Sequence, residues 1–477
     1  MEWEGVIGLE VHAQLLTESK MFCHCKAEFG GSPNENTCPV CLGMPGVLPV
    51  INKKAILFAL KTALSTHCTI ANSNSFARKN YFYPDLPKGY QISQYQLPVA
   101  IDGSIEIHTN NKTRKIGITR IHLEEDAGKL IHGEGVNAKY SLIDFNRTGT
   151  PLLEIVSEPD LRTPDEAGDY LKELRDILLY LEVCDGNMEE GSFRCDANIS
   201  IRPIGGEIGI KTEVKNMNSF KNVQKALTYE IERQKRVVSE GGTIVQETRL
   251  WDAEKGITVP MRGKEEAHDY RYFPEPDLAP VVVSPEFIDE VRKTLPELPA
   301  AKRKRFVSVY ELPPYDAGVL TSSKKLANYF EECVKLLPKP KIVSNWVMGD
   351  ILRELNKEDI EIDKCPITPS LLSELLWLIE DNIISGKIAK TVFLDMYATG
   401  KSPKTIVAEK GLIQITDAKT INQVVEKILA SHKKEVEDYK NGKEKLFGFF
   451  VGQIMKETKG KARPELVNEI LLKRLSE

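Results

Sequence analysis

The stretch GLEVHAQL at residues 8–15 decides the first part of the fold, because its side chains alternate in polarity at every step. Successive side chains of a β-strand point to opposite faces, so Glu10, His12 and Gln14 share one face and the apolar residues share the other. Similar rows recur at residues 120–126, 144–147, 194–202 and 211–215. Together they predict an antiparallel sheet with one buried face.

The polar rows are richer in His, Asp, Asn, Ser and Arg than an ordinary solvated sheet face, which is the alternative interpretation. If the rows meet, the carboxylates of Glu10, Glu124, Glu125 and Asp196 with the imidazole of His12 suit Mg²⁺ or Mn²⁺. Neighbouring Lys and Arg side chains would neutralise a transferring phosphoryl group. Alternation alone does not show that the strands meet.

This chemistry would be phosphoryl transfer without a P-loop. The nearest P-loop candidate is Gly400-Lys401-Ser402, but Asp395 stands where that motif requires its first glycine. The phosphate contacts must therefore come from the polar rows or from other segments.

Cysteine usage points to a metal rather than to disulfides. Cys23 and Cys25 form a C-x-C pair, and Cys38 and Cys41 form a C-x₂-C pair after a loop rich in turn-forming residues. Two close pairs of this kind predict a structural, tetrahedral Zn²⁺. The alternatives are two buried thiol pairs or a relic site without metal. The odd total of nine cysteines does not fit a secreted disulfide framework.

The overall composition is that of a folded protein, with 41% apolar and 28% charged residues. No apolar run approaches the roughly 18 residues of a membrane span, and the first residues are not basic. We therefore expect a cytoplasmic protein with no membrane partner. The charge is uneven, because residues 401–477 hold sixteen Lys and Arg against eleven Asp and Glu while the whole chain carries −5. A basic tail suggests that this end binds a polyanion.

The fold class predicted from these patterns is α+β. Strands dominate up to about residue 285, with helices at residues 52–66, 164–181 and 220–240. Helical spacing follows at 285–294, 300–310, 323–337, 342–354, 369–385, 403–410, 415–431, 433–441, 443–458 and 463–475. We predict an antiparallel-sheet domain at 1–290, an all-α helical domain at 291–402 and a small helical tail domain at 403–477.

Two further segments combine aromatic and charged residues. Residues 78–90 can stack a nucleobase or a tRNA end through side chains such as Lys79 and Tyr81, or the aromatic rings simply anchor a long loop. In residues 268–273, His268 and Asp269 either line the site or belong to an edge strand.

Several strings in this order resemble the B-subunit family of the aspartyl/glutamyl-tRNA(Asn/Gln) amidotransferases over essentially the whole chain. They are GLEVH at 8–12, CPVCLGMPG at 38–46, YFYPDLPKGY at 81–90, HLEED at 122–126, DFNR at 144–147, RCDAN at 194–198 and KTEVKN at 211–216. The family pattern matches at every one of these positions.

The resemblance implies a ligase with three subunits, in which an amidase partner releases ammonia from glutamine and a small third subunit ties the two larger ones together. The B subunit binds misacylated Glu-tRNA(Gln) or Asp-tRNA(Asn). It phosphorylates the side-chain carboxylate with ATP and Mg²⁺, and ammonia then displaces the phosphate. The resemblance further implies that the first domain is a cradle and that the tail domain contacts tRNA.

The resemblance also implies site residues. Catalytic roles fall to Glu10, His12, Glu124, Glu125 and Asp196. Magnesium ligands are Glu10, His12, Glu124 and Glu125, extended here to Glu154, and zinc ligands are Cys23, Cys25, Cys38 and Cys41. Contacts to ATP and substrate are expected from Lys79, Tyr81, Tyr83, Lys88, Arg147, Asn198, Ser200, Lys211 and Lys215.

Two other functions are open. An aminoacyl-tRNA synthetase would adenylate the carboxylate, although neither a His-Ile-Gly-His type nor a Lys-Met-Ser-Lys-Ser type signature is present. A noncatalytic, zinc-containing tRNA-binding scaffold would need the polar rows only as a surface.

Overall fold

The computed structural model describes residues 2–109, 112–132, 140–261, 270–415, 417–458 and 460–476. His268 and Asp269 lie outside the described residues. The chain forms two compact units, Met1–Pro299 and Ala300–Glu477. Among the described residues, none of the helices combines the length and apolar character that a membrane crossing requires.

The first unit is built on one long sheet and also contains two separate pairs of short strands. The strands are β1 (Trp3–Gln14), β2 (Thr69–Ile70), β3 (Ser73–Asn74), β4 (Ala77–Asn80), β5 (Tyr90–Ser93), β6 (Ala100–Thr109), β7 (Lys112–Glu125), β8 (Lys129–His132), β9 (Ser141–Asp144), β10 (Pro151–Ser157), β11 (Phe193–Pro203), β12 (Thr212–Met217), β13 (Thr248–Asp252), β14 (Ile257–Pro260), β15 (Phe273–Pro274) and β16 (Val281–Val282). The helices are α1 (Lys53–Ser65), α2 (Pro164–Tyr180), α3 (Phe220–Ser239) and α4 (Pro285–Lys293).

The long sheet has the order β14-β13-β12-β11-β1-β10-β7-β5-β4-β15, and β6 also pairs with β7. Its pairs are antiparallel except that β12 and β13 run parallel. The α+β class is therefore confirmed, whereas a purely antiparallel sheet was wrong in this one pair. The strand that follows α3 returns beside β12 in the same direction, as a helical crossover permits.

One face of the sheet is covered by helices. Val11 and Ala13 on β1, and Ala197 and Ile199 on β11, are buried in the same apolar core as α1, α2 and α3. The helices start where capping predicts, because Asn52, Thr163 and Ser219 each accept hydrogen bonds from backbone amides of the first turn. The opposite face therefore presents the polar rows.

One predicted row is wrong. Residues 144–147 do not continue β9 as a strand but form a turn. Asp144 Oδ1 accepts a hydrogen bond from the backbone N–H of Asn146 at 2.9 Å, and Phe145 O accepts one from Thr148 N at 3.0 Å. Short polar side chains that bond to the backbone nearby favour a turn over an extended strand.

The second unit is helical. Its helices are α5 (Pro299–Val309), α6 (Pro314–Leu320), α7 (Lys324–Leu336), α8 (Pro340–Trp346), α9 (Leu352–Glu358), α10 (Pro369–Glu380), α11 (Gly386–Thr399), α12 (Pro403–Glu409), α13 (Ala418–Ser431), α14 (Lys433–Lys440), α15 (Leu446–Glu457) and α16 (Pro464–Ser476). A π-helical stretch, Val347–Ile351, joins α8 to α9. A buried cluster runs from Phe306 to Val407 and another from Ile421 to Leu475. The proposed boundaries after residues 290 and 402 stay a prediction.

Two helices of this unit were missed from the sequence. No helix was predicted between residues 310 and 323, but Pro314 occupies the first turn of α6, where the missing N–H costs nothing. Helix α10 ends at Glu380 rather than Ser385, because Asn382 adopts a left-handed backbone. Ser385 then caps α11 through the N–H of Ile388.

Candidate functional site

The polar rows meet on the face of the sheet opposite the helices. In the registers of β11, β1, β10 and β7, His12 lies opposite Arg194 on one side and Glu154 on the other. Glu154 in turn lies opposite His122. Antiparallel pairing thus brings His12 beside Glu154 and Arg194, which both lie more than 100 residues away along the chain. We call this face of the sheet the polar sheet face.

At its centre His12, Glu124 and Glu154 form a group that we call the carboxylate cluster. His12 Nε2 lies 3.3 Å from Glu154 Oε2 and 3.7 Å from Glu124 Oε1. One ligand atom from each of the three residues falls within 4.8 Å of the others, close enough to share one metal ion. An imidazole with two carboxylates is a donor set for a divalent cation and leaves coordination positions for substrate oxygens.

The ionisable groups of this cluster change one another's pKa. Burial disfavours the protonated imidazole, but the carboxylates of Glu154 and Glu124 outweigh this effect and raise the pKa of His12 to about 9. Burial acts to raise the pKa of Glu154, yet His122 and His12 hold it well below its ordinary value. A bound cation would replace the proton that His12 takes up here.

The sequence prediction missed His122, whose side chain is 2% exposed. His122 Nε2 lies 3.2 Å from the same Glu154 oxygen that His12 approaches. The signal was present, because His122 and Glu124 are two residues apart on β7 and so share a face.

Glu10 and Asp196 lie beside the carboxylate cluster rather than within it. Asn198 Nδ2 donates to Glu10 Oε1 at 2.8 Å, and Lys215 Nζ donates to Asp196 Oδ2 at 2.6 Å. Burial and the charges of Glu154 and nearby Glu213 raise the pKa of Glu10. A metal ion or a cationic substrate group near Glu10 would relieve this repulsion.

A pocket of about 250 Å³ opens next to Glu10. Four predicted site residues line it, namely Glu10, Asn198, Ser200 and Lys211. Gly8 also lies in its wall, because every second residue of β1 faces this side. The pocket therefore adjoins the carboxylate cluster along the same strand.

Glu125 does not join this site, which corrects the expectation of one metal site that includes both Glu124 and Glu125. Consecutive residues of a strand face opposite ways, so Glu125 points away from His12. Its carboxylate accepts a hydrogen bond from Ile92 N at 3.0 Å and forms an ion pair with Lys88. Lys88 and Glu125 line a second pocket, beside Cys41 and Lys20.

The side chains of the predicted aromatic segment, residues 78–90, also lie in different surroundings. Lys79 Nζ lies 4.8 Å from the ring centroid of Tyr270 and 5.8 Å from that of Tyr81. Burial acts to lower the pKa of Lys79, but Glu124 and other nearby groups raise it overall, so a cation faces the carboxylate cluster. Tyr83, in contrast, is 44% exposed, in the loop between β4 and β5.

Arg147 sits at the edge of the polar sheet face. Its guanidinium donates to Ala127 O at 3.0 Å and to Gly128 O at 2.5 Å, and it lies 3.6 Å from Asp126 Oδ2. Arg194 donates to both oxygens of Asp126, at 2.9 and 3.2 Å. Neither Asp126 nor Arg194 was among the predicted site residues, although both lie in the quoted polar rows.

The predicted zinc ligands Cys23, Cys25, Cys38 and Cys41 form a second group, the cysteine cluster. All four are free thiols, and their Sγ atoms lie within 4.8 Å of one another. A hydrogen bond with Cys23 is the largest cause that lowers the pKa of Cys41 to about 5. The cluster could therefore hold a zinc ion with a full set of four protein ligands.

Comparisons with known proteins identify the family of the chain. A model described as the GatB/GatE catalytic domain matches residues 5–289, and one described as the GatB domain matches residues 328–475. The chain is 60% identical to the B subunit of the aspartyl/glutamyl-tRNA(Asn/Gln) amidotransferase from Caldanaerobacter subterraneus subsp. tengcongensis, with both chains fully covered. It is 59% identical, again over the full length of both chains, to the proteins of the same name from Thermoanaerobacter pseudethanolicus and Geotalea uraniireducens. The chain therefore belongs to the B-subunit family of the aspartyl/glutamyl-tRNA(Asn/Gln) amidotransferases.

Proposed function

We propose that this chain phosphorylates the side-chain carboxylate of Glu-tRNA(Gln), Asp-tRNA(Asn) or both, using ATP and Mg²⁺, and then hosts the amidation of the product. The observation that carries the proposal is the carboxylate cluster of His12, Glu124 and Glu154 beside the pocket at Glu10. Such a group would hold a divalent metal that offsets phosphate charge, and the pocket would give the nucleotide access to it.

The chemistry needs two steps. A carboxylate oxygen of the aminoacyl group attacks the γ-phosphorus of ATP, the bond to the β-phosphate oxygen breaks, and ADP leaves. Ammonia then attacks the acyl carbon, inorganic phosphate leaves, and the nitrogen loses a proton to give the amide. A carboxylate resists ammonia, whereas an acyl phosphate carries a good leaving group.

The residues of this chain supply charge and position. His12, Glu124 and Glu154 would hold Mg²⁺, which neutralises the negative charge that develops on the phosphoryl oxygens. Lys79 and Lys215 place ammonium groups at either side of the polar sheet face, where they can offset phosphate charge. Asn198 orients the Glu10 carboxylate towards the pocket.

The remaining sites have supporting roles in this proposal. Lys211, Ser200 and Asn198 contact ATP from the pocket wall, and Tyr81, Tyr83 and Arg147 contact substrate from the rim. Lys88 and Glu125 shape the second pocket, which also lies beside Cys41. A structural Zn²⁺ occupies the cysteine cluster.

The proposed setting is a cytoplasmic complex of three different subunits. An amidase partner supplies ammonia from glutamine, a small third protein ties it to this chain, and the basic tail binds misacylated tRNA(Gln) or tRNA(Asn). The chain alone would phosphorylate charged tRNA but would not complete glutamine-dependent amidation.

The decisive experiment reconstitutes the chain with its two protein partners and supplies each misacylated tRNA, glutamine and ATP. We expect the aminoacyl group to be amidated and ADP with phosphate to form in equal amounts. Production of AMP and pyrophosphate would contradict the mechanism and favour an adenylating enzyme. The same assay shows which misacylated tRNA is used.

A noncatalytic tRNA-binding scaffold remains the second candidate, favoured by the basic tail and the cysteine cluster. Under that function Glu10→Ala and Glu125→Ala would leave amidation by the reconstituted complex intact. We expect Glu10→Ala to abolish amidation and Glu125→Ala to lower its maximal rate, while tRNA binding, measured by filter retention, is spared.

A further inference from the structure

Lys20 is a charged residue that the proposed reaction does not use. It lies just after β1, and its side chain is fully buried, with 0% of its surface exposed. Burial of an ammonium is costly unless the group is hydrogen-bonded and its charge is offset. The acceptors around Lys20 therefore indicate what the residue does.

Those acceptors belong to the surroundings of the cysteine cluster. Lys20 Nζ donates to Asn36 O at 2.6 Å, lies 3.7 Å from Cys41 Sγ, and approaches Phe145 O at 3.4 Å. Among these three described acceptors, the sulfur of Cys41 is the one that can carry a negative charge. Four thiolates around Zn²⁺ leave a net charge of about −2, so a buried cation against one sulfur offsets part of that excess.

The same ammonium joins two segments. Asn36 belongs to the loop between the cysteine pairs, and Phe145 belongs to the turn at residues 144–149. These segments also bond directly, since Asn36 N donates to Asn146 Oδ1 at 2.8 Å and Phe145 N donates to Asn34 Oδ1 at 2.8 Å. Those side-chain contacts are half-buried or exposed, whereas Lys20 is sealed from water at the centre.

We propose that Lys20 is the positioning residue of the cysteine cluster, because its ammonium offsets thiolate charge at Cys41. It also holds the loop between the two cysteine pairs, called the zinc loop here, against the turn that carries Arg147. The inference rests on the proposed structural zinc and is independent of the phosphorylation chemistry. Groups just outside a metal's ligands tune its affinity by about 10–100-fold when they hydrogen-bond the ligands.

The test compares K20M, K20Q and K20R with wild type in the assembled complex. K20M removes the charge and the donor, K20Q keeps a neutral donor, and K20R keeps the charge. Lys26 is the matched control, because it lies in the zinc loop but is 67% exposed and pairs with Glu28 at 3.5 Å. We expect K20M to lower zinc affinity about 10–100-fold in competition with a chromogenic chelator, K20R to lower it less, and K26M to match wild type.

A second readout separates positioning from general destabilisation. In protein loaded with Co²⁺, the thiolate-to-metal charge-transfer band should move to lower energy in K20M, because a sulfur without the ammonium is a better electron donor. If K20M does not fold, K20Q carries both measurements. Unchanged zinc affinity and an unchanged cobalt spectrum would overturn the role of Lys20, and a wild-type complex without zinc would overturn the zinc site together with it.

Discussion

The cysteine cluster and the carboxylate cluster are both candidate metal sites, but they are built in opposite ways. Four thiols from one short segment would fill every position of a tetrahedral ion. The carboxylate cluster draws His12, Glu124 and Glu154 from three strands and offers fewer protein ligands than a divalent cation takes. A closed shell suits a structural metal, and an open one suits a metal that must accept substrate oxygens.

The largest effect should follow removal of the negative charge that both histidines share. We expect Glu154→Gln to lower the rate of amidation by about 10³-fold, because the amide neither offsets the charge of a protonated His12 nor binds a cation strongly. Steady-state assays of the reconstituted complex would measure this.

Glu106→Gln provides the matched control, since Glu106 is exposed on β6 of the same sheet. It should retain wild-type activity. Full activity of Glu154→Gln would mean that the carboxylate cluster takes no part in the reaction, and the contrast with the cysteine cluster would be lost.

For the cysteine cluster the expected loss is in stability rather than in chemistry. Cys38→Ser should lower the free energy of unfolding of the first unit by about 3 kcal/mol, because a structural metal contributes its binding energy to folding. Urea denaturation with and without added zinc measures this loss.

Cys365→Ser is the control for the change of thiol to hydroxyl, since Cys365 lies in the second unit and is not a member of the cysteine cluster. It should not respond to zinc. Equal stability of Cys38→Ser and wild type in excess zinc would argue that the cysteines hold no structural metal.

These two regions also differ in how far the sequence predicts them. The cysteine cluster depends on spacing within one segment, so C-x-C and C-x₂-C were enough to propose it. In the polar sheet face, alternation correctly gave the faces of Glu10, His12 and Asn198, but the partner strands follow from register and topology. The parallel pairing of β12 with β13 had no local signal either.

Local chemistry explains the other errors. The row at residues 144–147 alternates like a strand, yet Asp144 bonds the backbone of Asn146 and makes a turn. The missing helix between the predicted helices at 300–310 and 323–337 is explained by Pro314, because proline is favourable in a first helical turn. In both cases a local interaction within four residues decided the structure, and the pattern of polar and apolar residues did not reveal it.

Asp126 connects the polar sheet face to the turn at residues 144–149, because it binds Arg194 on that face and approaches Arg147 on the turn. Burial acts to raise its pKa, but Arg194 and Arg147 lower it overall. A carboxyl with a lowered folded pKa stabilises the protein above its unfolded pKa, and this stability is lost as the pH falls through the folded value. Asp126→Asn should therefore cost about 1.5 kcal/mol at pH 7.

The difference between Asp126→Asn and wild type should shrink as the pH falls below about 4, where the carboxylate of the unfolded chain is itself protonated. Chemical denaturation across that pH range measures both values. A difference that stays constant with pH would show that packing, rather than charge, accounts for the loss.

The smallest predicted effect provides the sharpest comparison, since Glu124 and Glu125 are neighbours that face different sites. Glu124→Gln should raise the Mg²⁺ concentration for half-maximal activity by about 10-fold, because its carboxylate would be a ligand of the cation held beside His12. Glu125→Gln should leave that concentration unchanged, since its carboxylate bonds Lys88 and Ile92 N on the other face, and it should lower the maximal rate instead. Titrations of Mg²⁺ at saturating ATP separate the two quantities. If Glu125→Gln also shifted the Mg²⁺ requirement, both carboxylates would have to reach one cation, and the two faces of β7 could not act as separate sites.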